Sequence, residues 1–460
     1  MAWITLLSRH RLVDSLTRGG GRGRVQRHKR PSFDPDHVWT IYRRWPTEQL
    51  ASLLANPVVV NYCKPSFCLF LGVTRAVTVK KVLVPAPYFY SESRARLGIL
   101  FLSRFVGTPP FPAASHRNLR WDPSMAAAEG ARKKIIIDTD PGIGPVSPAL
   151  GGGADDAMAI FVALRSPELE VLGLTTTFGN VHTALATRNA LHLLEAVGRT
   201  DIPVAEGSHV TIKKASKLRI ASFVHGSDGL GNQDFPAPAT KPVDKSAPAF
   251  LVEQANLYPG QVTVVALGPL TNLALAIELD PSFPKKIGQI IILGGAYSVN
   301  GNVNPAVEAN IFGDPDAADI VFTCGADILA VGLNVTHQVV LTDADREKLE
   351  QCDSKYARYL CKIMGIYFDY HKDAYFIKGV YLHDPTTLIA AVNPALMTYT
   401  EGVVRVQTVG ITKGLTVFDN TKKRYGEITA WTGMPTVKVA VTVDAPAVVE
   451  LMMQRLTTDD

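Results

Sequence analysis

The sequence predicts an α/β fold, a mainly parallel central sheet covered by helices on both faces, and two features of its pattern carry that prediction. Short, continuous apolar runs rich in β-branched residues recur from about residue 131 to the C-terminus, and stretches with helical spacing separate them. Runs that are apolar at every position, rather than at alternate ones, belong to strands buried on both faces. Parallel sheets require such strands, because their crossover helices pack on each side.

Taken in order, Ile135 to Thr139 reads as the first buried strand, Asp155 to Arg165 as a helix and Leu169 to Thr177 as a second strand. Val262 to Leu267, Gln289 to Leu293 and Ile328 to Leu333 continue the strands. Leu270 to Glu278 and Pro315 to Phe322 are the helices between them. Ligands of an open α/β sheet bind beyond the carboxyl ends of its strands. The polar motifs of this chain fall just after such strands, which points to one site.

With 460 residues the chain exceeds a typical single domain, and residues 131–460 are read as one large domain. Residues 1–130 hold short apolar runs (VVVNYC, RLGILFL) broken by Pro and Arg, with no sustained period. They are left unassigned, as a disordered segment or an extension of the gene model; Met125 offers an alternative start. The formal charge of +5 is concentrated at the N-terminus, where residues 1–30 carry eight Lys or Arg against the single acid Asp14. That segment resembles an organellar transit peptide, and without it a cytoplasmic location is expected. A nucleic-acid partner is not expected, because basic and aromatic residues do not interleave around the main motifs. Nor is a membrane: no apolar run approaches the roughly eighteen residues of a spanning helix. The five cysteines, Cys63, Cys68, Cys324, Cys352 and Cys361, are odd in number and lack paired zinc-ligand spacing, which fits scattered thiols.

The segment IIIDTDPG places Asp138 and Asp140 where the first strand runs out, with Pro141 and Gly142 turning the chain. Asp155 and Asp156 stand at the start of the following helix. One carboxylate there is explained as an N-cap. Four need another reason, and a group of hard oxygen donors on adjacent loops suits Ca²⁺ or Mg²⁺. Glu308 and Asn310 are two apart and point to one side of an extended segment. Asn302 lies in a Gly/Asn/Pro-rich stretch that alone reads as turn structure. His383 precedes Asp384 and Pro385 after a strand-like stretch. His182, His192 and His337 lack such company and are read as structural.

DTDPG followed by DDA resembles the N-terminal signature of the inosine/uridine-preferring nucleoside hydrolases. The blocks TTTFGN (175–180), VHGSDGLG (224–231), ALGPLTN (266–272), LGGAYSVNGNVNPAVEANIFGDP (293–315) and LHDP (382–385) follow in that family's order. The resemblance covers about residues 133–455, and FVHGSDGLGNQDFPAP is most similar to the plant-type uridine nucleosidases within it. It implies a calcium-dependent enzyme that hydrolyses the N-glycosidic bond of ribonucleosides, uridine above inosine, to ribose and free base. It also implies a homo-oligomer, a dimer or tetramer. By the same resemblance Asp140 is a calcium ligand that positions and deprotonates water, and Asp156, Asp384 and the main-chain carbonyl of Leu267 complete the protein shell. Asp155, Asn302, Glu308 and Asn310 are expected at the ribose hydroxyls, Asn180 in the same pocket, His225 near the base, and His383 as the acid that protonates the leaving base.

That chemistry is coherent with the residue types. An oxocarbenium-like transition state is stabilised by nearby carboxylates, a metal makes hydroxide available near neutral pH, and a histidine suits proton delivery. One feature departs from the family pattern, in which the two acids follow the DPG turn after a single residue. Here Gly144 to Ala154, reading GPVSPALGGGA, separates Ile143 from Asp155. The stretch is uncharged and glycine-rich enough to loop out at modest closure cost, or it is translated intron. If it displaced the helix start, the chain would be a folded but inactive ribose- or calcium-binding homologue.

Overall fold

The computed structural model describes residues 132–142, 154–214, 218, 220, 235–421 and 426–458. The expectations for residues 1–130, for His225 and for positions 144–153 of the insert lie outside these residues.

Among the described residues the chain opens with β1 (Lys133–Thr139), α1 (Ala154–Leu164), β2 (Leu169–Thr176), α2 (Thr183–Ala196) and β3 (Val204–Ala205). α3 (Ala247–Leu257), β4 (Val262–Ala266), α4 (Thr271–Leu279), α5 (Phe283–Lys286) and β5 (Gln289–Leu293) follow. Then come α6 (Ala309–Gly313), α7 (Pro315–Phe322), β6 (Ile328–Val331), α8 (Leu333–Thr336), β7 (Val340–Thr342) and α9 (Asp343–Glu350). α10 (Lys355–Tyr375), β8 (Gly379–Tyr381), α11 (His383–Val392), β9 (Met397–Val406), β10 (Thr416–Asp419), β11 (Val437–Val443) and α12 (Ala445–Thr457) complete the order.

The main sheet has nine strands in the order β10-β9-β11-β6-β5-β4-β1-β2-β3. From β11 to β3 every neighbouring pair is parallel, while β9 and β10 extend the far edge antiparallel. The expected mainly parallel sheet is therefore the observed one. β7 and β8 form a separate antiparallel pair.

Alternation along each buried strand sends neighbours to opposite faces, and both faces here are apolar. Ile135 and Ile137 of β1 join a core with α1, α2, α10, α11 and α12, whereas Ile136 joins a second core with α3, α4 and α7. Being needed on both sides, the middle of the strand, Ile135 to Ile137, carries no polar alternate position, which is why it reads as a continuous apolar run. The strand expected at Ile328 to Leu333 stops at Val331, because Gly332 is the N-cap of the short helix α8, which begins at Leu333.

Strand order reverses at β1: β2 and β3 are added on one side, β4, β5 and β6 on the other. A crevice at the carboxyl ends of β1 and β4 is the topological consequence, since their crossover connections leave in opposite directions. Among the described residues no helix is long and apolar enough to cross a membrane.

Candidate active site

Several of the residues singled out in the sequence lie at this end of the sheet. Asp138 is the penultimate residue of β1, and its Oδ1 accepts from Thr175 Oγ1 at 2.5 Å and from Asn272 Nδ2 at 2.8 Å. Asp140 follows the strand end, where its Oδ2 accepts from the backbone N–H of Asn180 at 2.7 Å. Two glycines make room for that carboxylate. A Cβ on Gly179 would stand 2.1 Å from Asp140 Oδ2, and one on Gly268 2.8 Å from Asp140 Oδ1.

Asp155 and Asp156 occupy the first turn of α1, where the helix dipole favours negative charge. Asp156 Oδ1 accepts from Thr139 Oγ1 at 2.5 Å and its Oδ2 from Asn180 Nδ2 at 2.8 Å. Asn180 thus holds Asp140 through its backbone and Asp156 through its side chain. The helix start is seated at the end of β1 despite the intervening residues. Asp155 Oδ2 lies 3.0 Å from Tyr367 Oη of α10, which is also 2.9 Å from the Tyr381 carbonyl oxygen.

Asp384 enters from the first turn of α11. With Asp155 and Asp156 it forms a buried group of three carboxylates, each offering an oxygen within 4.8 Å of the others. The carbonyl of Leu267, just beyond β4, accepts from Asn310 Nδ2 at 2.7 Å. Glu308 is the N-cap of α6, its Oε1 accepting from Asn310 N at 2.8 Å and its Oε2 from Ile311 N at 3.0 Å and Gly295 N at 3.2 Å. Asn302 is half-buried, and its Oδ1 is enclosed without a hydrogen-bond partner.

Burial sets the electrostatics. Asp140, Asp155, Asp156 and Asp384 are all at most 7% exposed. Desolvation, then the Asp156 charge, pushes Asp140 well above the usual carboxylate range, and Asp384 is raised likewise by burial and then by Asp155. Asp156 is pushed up to about 7 by burial and then Asp155, and Asp138 to about 6 by burial. Such a group cannot be fully ionised without a compensating positive charge. Asp140 Oδ1 and Asp138 Oδ2 are buried and lack a hydrogen-bond partner. A divalent cation fits this set: the donors are hard oxygens, a buried oxygen is left bare, and no sulfur is among them.

His383 begins α11, and its Nδ1 shares a 2.8 Å hydrogen bond with Thr336 Oγ1. Burial, then His337 and His371, holds its pKa well below the ordinary histidine range. Aromatic rings surround it. His337, read from sequence as structural and without company, has its ring 5.4 Å from His383 and 4.6 Å from Tyr381. His371 and Tyr367, one helical turn apart on α10, have rings 4.4 Å apart. Their spacing of four on one helix was the available signal, but nothing local ties α10 to the site. His192, by contrast, is a buried ring 4.7 Å from Phe235, in agreement with its structural reading.

Comparison with known proteins agrees with this geometry. Residues 135–450 match the model of the family described as inosine-uridine preferring nucleoside hydrolase. A protein of Arabidopsis thaliana named "Probable uridine nucleosidase 2" is 69% identical over 329 residues, 72% of this chain and 99% of its own length. "Uridine nucleosidase 1" of the same plant is 50% identical, covering 71% of this chain and 94% of its own. Among solved structures, a plant nucleoside hydrolase superposes with a TM-score of 0.68 at 58% identity, over 72% of this chain and all of that one. A purine-preferring ribonucleoside hydrolase from Gardnerella vaginalis gives 0.64 at 34% identity, over 71% and 98%. This chain belongs to the inosine-uridine preferring nucleoside hydrolase family. It is an N-glycosyl hydrolase of nucleosides.

Proposed function

We propose that this enzyme hydrolyses ribonucleosides to ribose and free base with the help of bound calcium, and that uridine is preferred to inosine. The observation that carries the reading is the convergence of Asp140, Asp155, Asp156 and Asp384 at the switch point of the sheet, with His383 beside Asp384. The seating of Asp156 against Thr139 and Asn180 speaks against a site disrupted by the insert.

Asp140, Asp156, Asp384 and the Leu267 carbonyl would hold the ion, and calcium there supplies Lewis acidity toward a water molecule. Asp140 accepts the water's proton on its bare Oδ1. Asp155, held by Tyr367, and Glu308, Asn302, Asn180 and Asn310 frame the ribose. Negative charge around the sugar stabilises the oxocarbenium character that develops as the bond to the base lengthens. His383, fixed through Nδ1 by Thr336, would bind a proton and pass it through its other ring nitrogen to the leaving base, returning to the neutral form that burial favours. Uridine preference is supported by the names of the plant relatives. The purine-preferring relative at 34% identity shows that the same fold serves more than one base class. The reading includes a homo-oligomer, a dimer or tetramer, supported by the family resemblance, and a cytoplasmic location if translation starts at Met125, an organellar one if the basic N-terminus is kept.

The test is a comparison of kcat/KM for uridine and inosine with calcium present and after verified removal of the ion. Uridine is expected to be the better substrate, and chelation to abolish turnover of both. A higher kcat/KM for inosine overturns the base preference; undiminished turnover without metal overturns the calcium assignment.

A further inference from the structure

The family resemblance places Asn310 at the ribose hydroxyls and Asn180 in the same pocket, yet in this structure both spend amide hydrogens elsewhere. Asn310 Nδ2 donates to the carbonyl oxygen of Leu267 at 2.7 Å and to that of Leu293 at 3.2 Å. An amide nitrogen has two hydrogens, so none remains for a ribose hydroxyl, and only Oδ1 can turn to the sugar. Asn180 Nδ2 donates to Asp156 Oδ2 at 2.8 Å while its backbone N–H holds Asp140 Oδ2 at 2.7 Å.

Apart from the Leu293 carbonyl, these acceptors belong to groups proposed to hold the ion. A backbone carbonyl is an uncharged ligand that contributes only if its lone pair is aimed. It has two, and Asn310 takes one, fixing the plane of the Leu267 peptide at the carboxyl ends of β4 and β5. For Asp156, Thr139 Oγ1 on one oxygen and Asn180 on the other fix the carboxylate plane. For Asp140, the bond to Oδ2 leaves Oδ1 bare and buried. Partners of this kind set ligand orientation, and their loss typically costs about 10- to 100-fold in metal affinity.

We propose that Asn180 and Asn310 are positioning residues of the metal shell: their side-chain amides aim Asp156 and the Leu267 carbonyl at the cation before substrate arrives. The proposal rests on the metal reading above, and its test separates the two. Calcium is titrated into the full-length protein without nucleoside, by calorimetry and by displacement of Tb³⁺ luminescence, with Mn²⁺ and Mg²⁺ as further probes. Asn180→Ala and Asn310→Ala are expected to raise the calcium Kd about 10- to 100-fold, and kcat on uridine to recover at excess calcium. Asn302→Ala, whose side chain holds no oxygen of the shell, is expected to leave that Kd within twofold. Should an alanine variant fail to fold, Asn180→Leu and Asn310→Leu keep the volume without the donor. If wild type binds the ion and all four donor-less variants bind it within twofold, the positioning role is overturned while the metal reading stands. A wild type that binds none of the three ions overturns both.

Discussion

Thr139 Oγ1 and Asp156 Oδ1, 17 positions apart in sequence, are joined by a buried hydrogen bond of 2.5 Å between the end of β1 and the first turn of α1. With the acids one residue after the DPG turn, as in the family pattern, such a contact would be local. Here it spans the eleven residues from Gly144 to Ala154 that the family pattern lacks, and the helix start is still held.

Deleting Gly144 to Ala154 is therefore expected to leave an active enzyme. Closing a longer loop adds little free energy, about 0.6 kcal/mol per doubling of length. Ribose release from uridine by the full-length protein and the deletion variant should agree within about tenfold, on the same grounds of modest loop entropy. Activity that appears only on deletion would show that the insert blocks the site.

Much of this was readable in the residues. Strand β5 and helix α7 begin and end where the apolar pattern places them, because both are short, buried and flanked by turn-forming residues. DTDPG, DDA and LHDP mark the carboxylates because each motif sits at an element end. What escaped the sequence were partners fixed by tertiary packing. Tyr367 reaches Asp155 from 212 positions away, and His337 meets His383 only because β7 pairs with β8. The antiparallel edge of β9 and β10 also has no local signal that separates it from the parallel strands.

Removing single ligands tests the metal site itself. Asp140→Ala and Asp384→Ala should lose uridine hydrolysis and bound calcium together, because each takes a carboxylate from a shell whose remaining oxygens cannot offset the ion's hydration. Metal content of the purified variants, measured beside kcat, checks this. Loss of activity with full calcium occupancy in Asp384→Ala would remove that residue from the ligand set.

The raised carboxylates also predict how the metal-free protein responds to pH. Asp156 is pushed to about 7 and Asp138 to about 6, above the unfolded value of 3.8. Between about 4 and 7 the folded state therefore binds more protons than the unfolded state, so stability falls as pH rises through that window. The Tm of the metal-free protein should be higher at pH 5 than at pH 8. Calcium competes with those protons, so its Kd should tighten over the same rise in pH and its addition should flatten the Tm profile. A metal-free Tm that climbs steadily from pH 5 to pH 8 contradicts the assignment.

Room for Asp140 is a matter of missing atoms. Gly179, at φ +154°, approaches Asp140 Oδ2 so closely that a Cβ would stand 2.1 Å from it. Gly179→Ala must move the carboxylate, and a displacement near 1 Å in an active site costs about a hundredfold in rate. Gly268→Ala, with its Cβ 2.8 Å from Oδ1, should act in the same direction through the other oxygen. Both should lower kcat/KM more than they lower Tm; a normal kcat/KM in Gly179→Ala would mean that Asp140 has no fixed position in catalysis.

His383 can be separated from the metal machinery by the choice of leaving group. Its Nδ1 is engaged by Thr336, and burial with His337 and His371 nearby lowers its pKa, so in the proposed role it reaches the base through the other nitrogen and returns to the neutral ring once its proton is given up. An acid that acts in the transition state lowers kcat when removed, by about 10² to 10⁴, and leaves KM and metal affinity nearly unchanged. His383→Ala should show that signature with uridine and inosine, whose bases leave poorly as anions. A p-nitrophenyl riboside expels a stable anion and needs no proton, so His383→Ala should hydrolyse it at near wild-type rates. Asp140→Ala, which lacks the acceptor of the water's proton, should fail on both substrate types. Thr336→Val, which frees Nδ1 without removing the ring, should fall between wild type and His383→Ala on uridine alone. Equal losses of His383→Ala on natural and activated substrates would exclude the acid role and leave the histidine a part of the base-binding wall.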